Sequence, residues 1–280
     1  MSRILAEIIL KLKPNSPSQP IDLREISPDI FAGKTKNEIG ATQIWIGNTK
    51  ETLGSIFEII GETAGTPEDQ TIVIEGDLPN SRRIGNKMTN GKIIINGKGG
   101  LYIGSDMKGG QITVNGDAGE WVGIGMKGGS IEVDGNVGAY TGSSYRGARQ
   151  GMKGGMIVIK GNSGCETGAW MTGGTLKIMG DSEILPGVHM SGGSILIAGG
   201  CPSMVGASMT GGKIVLLGKT GEILSGFHLE EIKGKAKIDG EKIPGPFYSF
   251  SGDIAEKGKG KIFIHKENNS HLVEYEEFLS

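Results

Sequence analysis

The chain has 280 residues, 36 % of them hydrophobic, and a formal net charge of −2. That length buries a sizeable core, while the near-neutral charge gives no electrostatic case for nucleic acid or an anionic membrane. Glycine is the outlier at 51 residues, more than twice the usual share of about 7 %. It does not fall at every third place, which excludes collagen, and it keeps register with apolar residues, which excludes a flexible linker. Two cysteines, Cys165 and Cys201, lack CxxC spacing and point to a reducing compartment without a disulfide framework. The N-terminal MSRILAEIILKLK carries charges throughout, unlike a signal peptide, and no apolar run approaches the roughly 18 residues of a membrane span. A soluble cytoplasmic protein is the expectation.

Residues 1 to about 70 precede a repeat. Alternation of Ile4, Ala6, Ile8, Leu10 and Leu12 predicts a strand, which Pro14, Pro17 and Pro20 break. The segment IDLREISPDIF predicts a short helical turn before Pro28, and Ile39 to Ile46 predicts another strand. Thr49 to Glu62 carries Leu53, Ile56, Phe57 and Ile60 at helical spacing, which predicts an amphipathic helix capped near Asn48 or Thr49 and ended by Gly65. Together these make a small α+β cap. An open end of a repeat stack exposes core and unpaired strand edges, so a cap is needed.

The repeat itself begins with TIVIEG, Thr71 to Gly76, and an enlarged corner, DLPNSRRIG. Seven turns follow, led by Met88, Met107, Met126, Met152, Met171, Met190 and Met209, with steps of 19, 19, 26, 19, 19 and 19 residues. Numbered from its Met, each turn has aliphatic residues at positions 6 and 8, from Ile93 and Ile95 to Ile214 and Leu216. Residues two apart share one face of a strand, so these point inward and stack as ladders. Position 10 is Gly in all seven turns, and four turns continue as G-x-x-G-x-x-x-G, the pattern of tight corners; Glu183, Pro202 and Ser225 each replace a Gly in later turns. A helix fails because each internal Gly costs about 1 kcal/mol, and the Leu and Asn pattern of leucine-rich repeats is missing. A β-helix fits. The 26-residue step leaves seven extra residues, Ser143 to Arg149, which must form a loop. After Leu217 the repeat decays through GKTGEILSGF and IKGKAKIDG into an irregular IPGPFYSFSGD, a strand at KIFIH, and an acidic tail, LVEYEEFLS. The tail caps the far end or docks on a partner.

No chemistry-bearing set emerges by column. His189, His228, His265 and His271 are scattered and do not align with Cys165 or Cys201, so no metal site is expected. Glu120, Glu166 and Glu222 are separated by turns, so no carboxylate dyad is expected. The glycine loops lack phosphate-loop spacing and are followed by strands. No catalytic or cofactor-binding residue is assigned. The surface is more informative. Outward positions change from Thr113 and Glu132 to Val158, Leu196 and Val215, and from Asn96, Asn115 and Asp134 to Met179, Ala198 and Leu217. An apolar stripe of this kind needs a cover, either a partner subunit or this chain's own N-terminal helix or tail. Tyr145, Arg146 and Arg149 in the extra loop are of the residue types favoured as interface anchors. The candidate interface is therefore Tyr145, Arg146, Arg149, Val158, Leu196, Val215 and Leu217.

The Met-led MKGG turns, the glycine corners and the 19-residue step resemble the C subunit of tungsten- or molybdenum-dependent formylmethanofuran dehydrogenase. A similar repeat occurs in the C-terminal domain of the glutamate synthase large chain. The leading segment PIDLREISPDIFAGKTKNEI and the insertion GSSYRGARQGM resemble the dehydrogenase protein. The resemblance implies a mainly β chain: a right-handed single-stranded β-helix of about seven or eight turns over 71–240, an α+β cap over 1–70 and a capping tail over 241–280. It implies a scaffold in a complex that reduces CO2 to formate and condenses it with methanofuran. Tungsto- or molybdopterin, iron–sulfur clusters and a dinuclear zinc site would lie on other subunits: a pterin-metal catalytic chain, an amidohydrolase-like zinc chain and small ferredoxin-like chains. The C subunit of a non-redox formyltransferase/hydrolase complex is similar and is one alternative; a β-helix domain protein of the glutamate synthase type is the other.

Overall fold

The computed structural model describes residues 6–14 and 17–279, and the chain is mainly β. Its N-terminal region holds β1 (Ala6–Leu12), β2 (Ile21–Asp22), α1 (Pro28–Phe31), α2 (Lys36–Gly40), β3 (Gln43–Ile46), β4 (Thr49–Thr52), α3 (Leu53–Ile56) and β5 (Phe57–Gly61). The alternating start forms β1, with Ile8 and Leu10 buried; Ile4 lies outside the described residues. Three expectations shift. The helical turn starts at Pro28 rather than before it, because Ser27 caps it by accepting from the Asp29 N–H and Pro28 takes the first helical position, where its missing donor costs nothing. Ile39 belongs to α2, opened by a Thr35–Glu38 capping box, and the strand begins only at Gln43. The helix expected over 49–62 is broken into strand, one helical turn and strand. Its β-branched Thr49, Thr52, Ile59 and Ile60 suit a pleated surface, and β4 and β5 find partners in β3 and β1. Leu53, Ile56 and Phe57 are still buried, so the apolar spacing serves the core without a continuous helix.

Next come β6 (Gln70–Glu75), β7 (Ser81–Arg82) and the seven Met-led turns, with strands β8 (Lys92–Asn96), β9 (Gln111–Val114), β10 (Ser130–Val133), β11 (Met156–Ile159), β12 (Thr172–Ile178), β13 (Gly192–Ile197) and β14 (Lys213–Leu216). Strands β6 and β8 to β14 pair in parallel and in sequence order, while β7 pairs with β2 in a second sheet. The ladder starts earlier than the expected Thr71, because β1 lies beside β6 in the same parallel register, Ile8 at Ile72 and Leu10 at Ile74. The register is that of the repeat: Ile93 lies beside Ile112, then Ile131, Ile157, Leu176, Ile195 and Ile214. All fourteen side chains at positions 6 and 8, and all seven leading methionines, are at most 1 % exposed. A second wall shows as isolated parallel bridges joining Ala118, Val137, Ser163 and Ser182.

The packing explains why Met and the second Gly of MKGG recur together. A Cβ at Gly110 would lie 2.5 Å from the Met88 methyl, and one at Gly129 would lie 2.7 Å from that of Met107. Each methionine thus fills the space left by the glycine one turn later. Gly110 also has φ of +78°, a region costly for a side chain.

The C-terminal part departs from the expected irregular tail. β15 (His228–Ile238) and β16 (Glu241–Gly252) form an antiparallel hairpin, and β17 (Gly260–His265) pairs with both β16 and β14. KIFIH is therefore the last rung of the ladder, with Ile262 beside Ile214 and Ile264 beside Leu216. The end of the hairpin turns back over the outer face of the sheet, where Lys177 Nζ meets Glu241 at 2.8 Å and Lys213 Nζ donates to the Lys237 carbonyl at 3.0 Å. Ala236, Ile238, Phe247 and Phe263 pack there on Leu196 and Val215. The boundary expected at 240 falls in this hairpin's turn. Residues Ser270–Phe278 then close the stack in 3-10 turns, with Leu272 buried and the Tyr248 hydroxyl donating to Glu276 at 2.7 Å.

Candidate interaction site

Two corner columns of the repeat adopt left-handed backbone. One runs through Arg83, Tyr102, Trp121 and Tyr140, with φ of +60 to +67°; the other includes Trp170 and His189, with φ of +59° and +55°. A repeat that advances one strand spacing, about 4.8 Å, per turn sets equivalent side chains at ring-stacking distance. Tyr102 stacks on Trp121 with centroids 4.9 Å apart and planes within 2°, and Trp121 stacks on Tyr140 at 5.2 Å. Trp170 stacks on His189 at 4.1 Å. The Arg83 guanidinium lies 5.6 Å from the Tyr102 ring and is paired with Asp22 at 2.8 Å. Asp22, on β2, thereby holds the first end of the aromatic column.

The seven extra residues sit on these columns. Ser143 is buried and donates to the Tyr140 carbonyl at 2.6 Å. Ser144 Oγ donates to the Ala148 carbonyl at 2.9 Å, and the Ala148 N–H to the Tyr145 carbonyl at 2.9 Å, closing a turn. The Tyr145 hydroxyl donates to Asp106 at 2.8 Å; burial, and then the Asp106 carboxylate, push its ionisation well above the ordinary tyrosine range. Arg146 lies over Trp121 at 6.0 Å and Arg149 over Trp170 at 5.9 Å. One arginine therefore covers each column. Tyr102, Trp121, Ile124, Tyr145 and Arg146 enclose a cleft of about 500 Å³.

The candidate interface residues thus divide. Tyr145, Arg146 and Arg149 come together on the aromatic columns. Val158 is on another wall, half-buried between the register neighbours Glu132 and Lys177. Leu196 and Val215 are 7 % and 0 % exposed beneath the chain's own hairpin, with Leu217 packed at its margin. Leu196 and Val215 leave the interface, because the apolar face that needed a cover is covered intramolecularly, not by an N-terminal helix but by the hairpin, whose second strand belongs to the 241–280 segment expected to cap. The columnar Tyr102, Trp121, Tyr140, Trp170 and His189 escape a reading confined to aliphatic columns. Their signal is the same 19-residue step.

A polar ladder follows the position-10 glycines, unremarked in the aliphatic columns. The side chains of Asp117, Asn136, Asn162 and Asp181 each accept from the backbone N–H one turn on, at 2.7–2.9 Å. This wall borders a cleft of about 680 Å³ that includes Glu120, Cys165 and Glu183. Burial, and then the charges of Glu166, Glu183 and Glu120, push the Cys165 thiol up; burial pushes Cys201 to about 11. Neither environment favours a thiolate nucleophile. Among the described residues, no group of three or more His, Cys, Asp or Glu side chains is placed to hold a metal, and no helix is long and apolar enough to cross a membrane.

No family model matches the chain. It is 46 % identical over 99 residues to the C subunit of tungsten-containing formylmethanofuran dehydrogenase 2 from Methanothermobacter wolfeii, covering 35 % of this chain and 36 % of that one. It is 45 % identical over 93 residues to the C subunit of molybdenum-containing formylmethanofuran dehydrogenase 1 from Methanothermobacter marburgensis, covering 33 % and 22 %. The matched stretch spans about a third or less of the length of these relatives. The fold aligns with a chain in the crystal structure of the formyltransferase/hydrolase complex from Methylorubrum extorquens in complex with methylofuran. That alignment has a TM-score of 0.80 and 28 % identity, and covers 92 % of this chain and 99 % of the other. The chain is thus similar in sequence to C subunits of both metal types, and similar over nearly its whole length to one component of an assembly of several different chains.

Proposed function

We propose that this chain is the C-type scaffold subunit of a formylmethanofuran dehydrogenase complex, carrying no reacting group itself. The supporting observation is the pair of similarities: relatives of that type at 44–46 % identity over a third of the chain, and a structural neighbour from a larger assembly that matches nearly all of it. In this reading the Met-led turns are a right-handed β-helix, capped by residues 1–70 at one end and by the C-terminal 3-10 turns at the other. Its rigid, continuously hydrogen-bonded wall positions other subunits. Those would be a pterin-bound tungsten or molybdenum chain, an amidohydrolase-like zinc chain and iron–sulfur carriers. The structural neighbour fits equally a second reading, the C subunit of a formyltransferase/hydrolase complex without a redox step.

Purification of the tagged chain from its native cells tests the proposal. The expected result is co-recovery of the other subunits with tungsten or molybdenum in the assembly. A complex free of both metals would select the second reading. Recovery of this chain alone would overturn both.

A further inference from the structure

The loop presents two exposed guanidiniums, Arg146 and Arg149, each about 6 Å from the centre of an aromatic ring of a separate column. Attraction to a ring's face uses the guanidinium's charge and consumes none of its N–H donors. A carboxylate matches those donors with two parallel hydrogen bonds. Among the described residues neither Arg146 nor Arg149 has a carboxylate partner. The loop is also ordered in advance. Its own turn, the Tyr145–Asp106 hydrogen bond and the Gly151 N–H donated to the Trp170 carbonyl at 2.7 Å fix it from both ends. Docking then orders few new side chains, which lowers its entropic cost. Asp106 beside Tyr145, Glu166 as the next column residue after Tyr140, and a chain charge of −2 all oppose a densely charged polyanion. They tolerate isolated carboxylates.

From this surface we infer that a partner protein docks here through a segment bearing two carboxylates. One enters the cleft between Tyr102, Trp121 and Tyr145 and is received by Arg146; the other is received by Arg149. The inference rests on the scaffold reading and names the chemistry of the partner.

The test uses the assembled complex carrying the tagged chain. Arg146→Glu with Arg149→Glu reverses both charges on a loop that contributes no ladder residue. Recovery of the partner should fall about tenfold or more, with the chain's own melting unchanged. Arg146→Lys with Arg149→Lys keeps the charge and provides amines. A carbodiimide, which joins an amine only to a carboxylate in contact with it, should then link position 146 or 149 to an Asp or Glu of a partner protein, read by mass spectrometry. Undiminished recovery of the charge-reversed chain, or an assembled lysine variant with no such link, would overturn the inference while leaving the scaffold reading intact. Isolation of the wild-type chain alone would overturn both.

Discussion

The stack of Met-led turns and the hairpin over 228–252 bury comparable apolar side chains by opposite means. In the stack the ladder residues recur one turn later, 19 residues on except across the single 26-residue step, so each turn recreates the environment of the last. Ile131 lies between Ile112 and Ile157, its equivalents one turn away on either side. In the hairpin no column exists. Phe247 reaches Val215 and Leu196 only because two long strands fold back over the outer face. The difference teaches where this fold is tolerant. The stack distributes its stability over nearest-neighbour contacts. The hairpin concentrates the protection of one apolar face in a few residues.

The largest expected effect lies in the stack. Ile131→Asp places an unpaired carboxylate at a site 1 % exposed, at a cost of several kcal/mol. No soluble folded chain should be recovered, and a normally melting variant would show that the ladder does not depend on its middle rungs. Phe247→Ala, at a fully buried site, should cost about 3–5 kcal/mol. The signature separates the two regions: increased binding of a hydrophobic dye from the uncovered Leu196 and Val215, with far-ultraviolet circular dichroism of the stack retained. Simultaneous loss of both signals would mean the hairpin and stack fold as one unit.

Acid tests the joint between the N-terminal region and the first turns. At Asp22, burial works to raise the carboxyl, but hydrogen bonds from Arg24 and the charges of Arg24 and Arg83 outweigh it and hold it below the usual 3.8. At Asp29, burial is likewise outweighed, by hydrogen bonds from Thr89 and Ser27. Folded values below unfolded ones stabilise the protein fully above about pH 4, and that contribution is lost as pH falls through the folded values. Asp22→Asn with Asp29→Asn should cost about 2 kcal/mol at neutral pH, after allowance for partial exposure. The pH dependence of unfolding below about pH 4 should flatten; an unchanged acid slope would remove these carboxylates from the joint. The smallest effect is expected from Asn162→Ala, which deletes the acceptor for the Asp181 N–H at 2.8 Å. A loss of about 1 kcal/mol in denaturant unfolding would show that the polar ladder contributes per rung, and no loss would show that water substitutes for it.

Much of the architecture is legible without coordinates because the repeat couples sequence spacing directly to space. The Met and Ile columns and an exposed loop carrying Tyr145, Arg146 and Arg149 follow from counting, whereas the parallel rung of β1 before Thr71, with Ile8 beside Ile72, and the retention of Ser143 in the wall do not. The same count places Tyr102, Trp121 and Tyr140 in one stack, so the aromatic half of the candidate site was present in the sequence, though outside an aliphatic reading. Local pattern misleads at Thr49 to Glu62, where helical apolar spacing coincides with β-branched residues and the free edge of β1 decides for strand.

What the sequence determined by itself is the periodic part: a parallel stack of 19-residue turns, its buried face, and a loop carrying Tyr145, Arg146 and Arg149. Those features depend on contacts between equivalent positions one turn apart, which a single chain displays in its own repetition. Only the tertiary structure decided that Leu196 and Val215 are covered from within, that KIFIH is the last rung, and that each loop arginine lies on its own aromatic column. Those contacts join non-equivalent residues, and their geometry depends on where a hairpin or a loop is free to fold back, which no local spacing encodes.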